Sequence, residues 1–223
     1  MALISHAKQG NTNPNPTKRF LEWKSTKKTF SYYDKEASEN VEVSLPMKFL
    51  FIQQYHTVKG FHDASNSGIF SNEVSFIGKE PMNVRSFKGG PIASGLYSDI
   101  KMKVGAAGGN YHKSIYVMLE DGTLANISLK GSAVAKWSEF LEINKHLTDN
   151  QWIEVSGADA QKKGSVSYFT PTFVMGKALT KNEAMNVDGV VNTLSNYLTA
   201  YFDKSEEVSE PKTIEVEAPG LPF

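Results

Sequence analysis

Between residues 98 and 129 apolar and polar side chains alternate in three short runs, and a period of two commits this stretch to β-structure. Ile100, Met102 and Val104 alternate with Lys101 and Lys103, which predicts a strand with one apolar and one basic face. Gly105-Ala106-Ala107-Gly108-Gly109-Asn110 follows as a pliable loop, expected to reach residue 112. Ile115, Val117 and Leu119 form the second run. Asp121-Gly122 then predicts a type I′ hairpin, because both central positions of that turn need positive φ. Ala125, Ile127 and Leu129 continue on the return strand.

The flanking segments extend the pattern. Residues 1–17, with Asn13-Pro14-Asn15-Pro16, read as a loose arm. Phe20, Trp23, Phe30, Tyr32 and Tyr33 are strand formers, Val41, Val43 and Leu45 alternate, and Met47–Tyr55 suits a mostly buried strand. Residues 60–80 are rich in Gly, Asn and Ser and read mainly as loop, with room for a short strand within 69–76. After Gly131, Val134, Trp137, Phe140 and Leu141 mark one face of a helix. Two strands are expected near 151–156 and 165–175, joined by a polar loop (157–164) that holds Lys162, Lys163 and Gly164. Thr180-Lys181-Asn182-Glu183 fits a capping box, and Val187, Val190, Val191, Leu194, Leu198 and Tyr201 continue as a helical stripe.

Cations and aromatics are interleaved throughout. One cluster holds Lys24, Lys28, Phe30, Tyr32 and Tyr33, and a second holds Arg85, Phe87 and Lys88. A third, Lys101, Lys103, Tyr111, His112, Lys113 and Tyr116, surrounds the glycine-rich loop, and a fourth comprises Lys162, Lys163 and Tyr168. Cations neutralise phosphates and aromatic faces stack on bases, so this mixture is the chemistry of single-strand binding. The bland alternative is aromatic core and solvated lysine. Phe20 and Trp23 are expected in the core, whereas Tyr111, in the flexible loop, is the foremost stacking candidate. Only Arg19 and Arg85 are arginines among 24 cations. Lysine is a point charge, while arginine supplies the fork that reads base edges, so the bias favours backbone tracking over sequence reading.

The last 21 residues separate the charge. Residues 203–223 hold six carboxylates and two lysines, so a chain of zero net charge divides into a body of +4 and a tail of −4. Three prolines and few apolar residues leave too little area to offset the entropy of ordering, which predicts a solvated tail. It ends Gly220-Leu221-Pro222-Phe223, preceded by Glu215 and Glu217.

That ending resembles the bacterial single-stranded DNA-binding proteins and their phage counterparts, whose flexible acidic tail closes on an apolar tip ending in Pro-Phe. The family's consecutive aspartates are replaced here by Ala218-Pro219-Gly220, and the motif covers about 20 residues. The resemblance implies an OB-fold body, coating of single strands in replication, recombination and repair, and recruitment of partner enzymes through Glu215, Glu217, Leu221, Pro222 and Phe223. The order from 98 to 175, three strands, a helix and two strands, agrees with an OB fold, a five-stranded partly open barrel. The expected organisation is mainly β: a flexible arm (1–17), an OB-like body with extra N-terminal strands (18–202) and a disordered acidic tail (203–223). In the absence of DNA the tail is expected to lie over the basic groove.

Other classes are disfavoured. No cysteine is present, so thiolate zinc sites and thiol nucleophiles are absent. The five histidines show no metal spacing, no Gly-Lys-Ser/Thr closes the glycine-rich loop, and no Gly-x-Ser-x-Gly elbow occurs. No enzyme activity, cofactor or metal is therefore expected. Residues 1–10 lack the apolar core of a secretory signal and no run approaches a membrane span, which leads to an expected cytoplasmic location, in a bacterial host if the chain is phage-encoded. Self-association and a preference for RNA stay open. The rival reading is a β-rich phage structural or assembly protein with no nucleic-acid role.

Overall fold

The computed structural model describes residues 14–144 and 150–209, with side chains as far as 203. Most of the expected arm, and the tail from 210 with Glu215, Glu217 and the Leu221-Pro222-Phe223 tip, lie outside the described residues. The chain runs β1 (Arg19–Lys24), β2 (Thr29–Asp34), β3 (Glu39–Val43), β4 (Met47–His62), β5 (Ser67–Phe70), β6 (Met82–Ser86), β7 (Gly90–Gly95), α1 (Tyr97–Ala106), β8 (Gly109–Leu119), β9 (Leu124–Lys130), α2 (Ser132–Ile143), β10 (Gln151–Lys163), β11 (Val166–Ala178) and α3 (Lys181–Ser209).

The strands form one mixed sheet in the order β3-β2-β1-β9-β8-β4-β5-β6-β7. The pair β1–β9 is parallel and the other named pairs are antiparallel. The fold is organised by β4, which is 16 residues long. It pairs with β8 along one edge, while its other edge is shared: Met47–Phe49 take β10, and Lys59–His62 take β5. The sheet does not close as an OB barrel would. Instead the β10–β11 hairpin curls toward the β1–β2 turn and meets it at one point. There the Phe169 N–H donates to the Ser25 carbonyl (3.1 Å), and Trp23 Nε1 donates to the Phe169 carbonyl (2.8 Å).

One face of the sheet carries two apolar cores. The larger joins Leu21, Phe30, Phe49, Ile115, Val117, Ile127 and Leu129 to Trp137 and Phe140 of α2. The smaller joins Val58, Ile69, Met82 and Val84 to Ile100 and Val104 of α1. The opposite face is covered in part by α3, whose Val187, Leu194 and Leu198 pack on Leu50, Tyr55, Tyr116, Met118 and Leu124. The capping box at its start is present: the Thr180 N–H donates to Glu183 Oε2 (2.7 Å), and the Glu183 N–H donates to Thr180 Oγ1 (3.4 Å).

Five expectations are corrected. Residues 97–106 form a helix, not a strand: Ile100 and Val104, four apart, are buried, while Met102 between them is 78% exposed. The pair 100/104 satisfies both periods, and its packing with Val58 and Val84 selects the helix, which turns Met102 outward. The expected loop 105–112 shrinks to the turn at 107–108, where Gly108 takes φ +92° and lies so close to β4 that a Cβ would sit 2.2 Å from the Phe61 carbonyl. The hairpin at Asp121-Gly122 forms, but positive φ occurs at Gly122 only (+76°). Its N–H bonds the Leu119 carbonyl and Leu119 N–H bonds Thr123, so the turn has one left-handed glycine and is not type I′. Elsewhere, the loop expected at 157–164 is strand through Lys163, and α3 extends to Ser209, past the boundary expected at 203.

Candidate nucleic-acid interface

Register defines what the uncovered part of the second face displays. Side chains directly opposite one another share a face. Glu22 lies opposite Ser128, Ser128 opposite Ser114, His112 opposite Lys130 and Thr57, and Lys59 opposite both Asn110 and Phe70. The β9 strand ends at Lys130, opposite His112, while β8 continues back to Gly109. That mismatch leaves a notch, and a cleft of about 970 Å³ opens there. Lys24, Lys59 and Lys130 line it, together with Trp23, Tyr168 and Phe169 and the first turn of α2 from Gly131 to Ala135. No side chain caps this end of α2, so its amide end adds positive potential beside the lysines.

The charges in the cleft are unequally compensated. Glu22 pairs with Lys24 (2.8 Å). Burial pushes the Glu22 carboxyl up, but this hydrogen bond and the charge of Lys24 hold it below its ordinary value. Lys59 forms none of the salt bridges among the described residues. Desolvation lowers its pKa against the opposing pull of Glu73 and Glu22. His112, only 7% exposed, shares a hydrogen bond through Nδ1 with Ser128 Oγ (2.9 Å). Burial, then the charges of Lys59 and Lys130, push it down to about 4, so it is neutral at pH 7. Three lysines against one carboxylate leave the cleft cationic.

The state of His112 makes an acid-sensitivity prediction. An unfolded histidine takes its proton near pH 6.5, whereas His112 in the fold resists until about 4. Between these values the unfolded chain binds more protons, so stability falls as pH drops, by at most about 1.4 kcal/mol per pH unit. His112→Gln is expected to flatten that slope, read from urea midpoints measured across the window. Taking the difference between wild type and variant removes the contribution of Glu73, whose carboxyl burial raises and which works in the opposite direction. Coincident profiles would clear His112 of the effect.

The structure distributes the sequence candidates unevenly. Lys24 and Tyr168 line the cleft, and Lys28 lies 4.1 Å from the Phe169 ring centroid. Tyr111 also lines the cleft, although it sits in β8 and not in a loop; its hydroxyl contacts His56 Nδ1 (2.6 Å), and burial pushes it up to about 12. Arg85, Phe87 and Lys88 are exposed on and just after β6. Lys162 and Lys163 are exposed near the tip of the β10–β11 hairpin. Tyr33 is 56% exposed on β2, and Lys113 is half-buried on β8.

Other candidates are displaced. Phe30 is wholly buried, in edge contact with Trp23 (5.0 Å between centroids), and Tyr32 packs against the same core. Tyr116 is buried beneath α3, where its hydroxyl donates to Glu73 (2.8 Å). Lys101 and Lys103 occupy the outer side of α1, not a strand face. Phe20, expected in the core, is 47% exposed. Lys59 and Lys130 are the cleft cations that sequence reasoning passed over. The period of two at Thr57, Lys59 and Phe61 is the signal that would have found Lys59, had the strand expected at Met47–Tyr55 been extended to His62.

Neither family models, curated proteins nor solved structures yield a match to this chain. No helix among the described residues is long and apolar enough to cross a membrane. Among the same residues, no group of three His, Asp or Glu side chains could hold a metal.

Proposed function

We propose that this protein is a non-catalytic, single-stranded DNA-binding protein that coats exposed strands without reading their sequence. One observation carries the reading: a cleft in which three lysines and the uncapped end of α2 face the same space as Trp23, Tyr168 and Phe169. Phosphates would track Lys24, Lys59 and Lys130, and bases would stack on Tyr168 and Phe169, which are partly exposed, while Trp23 is held in the larger core. Lysine at all three positions suits backbone contact. The apolar acidic ending supports the same reading by its resemblance to the family tail. Glu215 and Glu217 would meet a basic rim on a replication or recombination enzyme, with Leu221, Pro222 and Phe223 as the anchor.

Titration with oligo-dT and with duplex DNA at two salt concentrations tests this. Trp23 lines the cleft and reports on occupancy by its fluorescence. The expected result is quenching by oligo-dT that weakens as salt rises, with a log–log slope of about −0.7 per phosphate contacted, and a weaker response to duplex. No binding at low salt, confirmed by gel shift, would leave the phage structural protein as the better reading.

A further inference from the structure

We infer a second nucleotide-binding platform on the outer face of β4, β5 and β6, formed by Phe61, Phe70 and Phe87 with Arg85. It would hold bases of the same strand that enters the cleft. The inference rests on the single-strand reading above and extends it to a surface outside the cleft. Phe61 is opposite Gly68, and the Phe87 N–H bonds the Gly68 carbonyl (2.9 Å), so the two rings flank a position with no side chain. Two strand spacings place their backbones about 10 Å apart. Two residues further along, and so on the same face, Lys59 is opposite Phe70 and Phe70 is opposite Arg85, whose guanidinium lies 5.7 Å from the Phe70 ring centroid.

Exposure and charge identify the occupant. Phe61, Phe70 and Phe87 are 50%, 41% and 75% exposed, although the alternate residues Ile69, Met82 and Val84 are buried in the smaller core. The sheet could have placed polar residues outward here and presents three phenylalanines. Strands β4, β5, β6 and β7 contain no aspartate or glutamate, while Lys59 and Arg85 stand among the rings and Lys88 follows. Strands that carry π-surfaces and cations and no acid of their own complement a polyanion with unpaired bases; the neighbouring Glu73 carboxylate is engaged by Ser114 and Tyr116. A neutral apolar protein surface would not require the cations. Phe70 also lines the cleft, which makes the platform continuous with it. A strand leaving the Lys24–Lys130 notch would therefore pass Phe70 and Arg85 before reaching Phe61 and Phe87.

The test compares wild type with Phe61→Ala/Phe87→Ala by anisotropy of labelled oligo-dT of about 6 and about 16 nucleotides. The expected result is that the variant binds the longer oligonucleotide about tenfold or more weakly. Its affinity for the shorter one and its salt slope should be unchanged, because the rings carry no charge. Both rings are exposed, so the melting temperature should hold, and circular dichroism checks this. Equal affinity of the two proteins for the longer oligonucleotide overturns the platform and leaves the cleft reading intact. If the variant instead loses only self-association in sedimentation, the patch is a contact between copies, and the inference is equally overturned. Failure of the wild type to bind either length removes both readings.

Discussion

Replacing Trp137 with alanine is expected to lower the unfolding free energy by about 3–5 kcal/mol, seen as a fall in the urea midpoint. Trp137 is fully buried and touches the rings of Phe49, Phe51, Phe140 and Phe173 at centroid distances of 5.1–6.1 Å. It is therefore the residue through which α2 grips both β4 and the β10–β11 hairpin. Its removal opens a cavity between rigid rings that cannot collapse, and it strips Gln54 Oε1 of the indole N–H that donates to it (2.9 Å). Since domains of this size hold only about 5–15 kcal/mol in all, much of the variant should be unfolded at moderate urea. Trp137→Phe should recover part of the loss and leave the indole-bond deficit. A midpoint unchanged in the alanine variant would show that α2 does not hold the core together.

The largest functional effect is expected from Lys24→Gln/Lys59→Gln/Lys130→Gln. If each lysine contributes about 1 kcal/mol to phosphate binding, the triple variant should bind oligo-dT about 100-fold more weakly at low salt. The slope of log affinity against log salt should become shallower by about 2, since roughly 0.7 of a counterion is released per contact on a single strand. Glutamine removes the charge and keeps two of lysine's four methylenes and a polar end, and none of the three lysines is fully buried, so the fold should be undisturbed. The effect on Lys24 has a second component: without it Glu22 loses its ion-pair partner and faces the phosphates as an uncompensated carboxylate. An affinity that falls with an unchanged salt slope would assign these lysines to packing, not to phosphate contact.

Local chemistry was legible wherever it is closed within a few residues. The Thr180–Glu183 capping box, the hairpin at Asp121-Gly122 and the stripe Val134-Trp137-Phe140 each rest on contacts between near neighbours, and each forms. The stretch 97–106 was misread because Ile100 and Val104 fit either period, and the arbiter is their packing on Val58 and Val84 from two strands elsewhere in the chain. Phe30 and Tyr116 were misplaced for a related reason. An aromatic beside lysines has the same sequence signature whether its strand face points inward or outward, and α3, distant in sequence, supplies the cover over Tyr116.

What the sequence by itself determined is the β-rich class, the two amphipathic helices after Gly131 and Thr180, the lysine bias and the division of charge between a +4 body and a −4 tail. These follow from periodicity and composition, which need no knowledge of where the chain returns. The cleft and the adjoining aromatic face were decided only by tertiary structure. Lys24, Lys59 and Lys130 become neighbours because β1 pairs in parallel with β9, β8 joins β9 to β4, and β9 ends early. Phe61, Phe70 and Phe87 meet because β5 sits between β4 and β6. Strand register over long separations depends on burying both faces of the whole sheet at once, and a one-residue slip in β4 would send Lys59 to the core and Val58 to solvent.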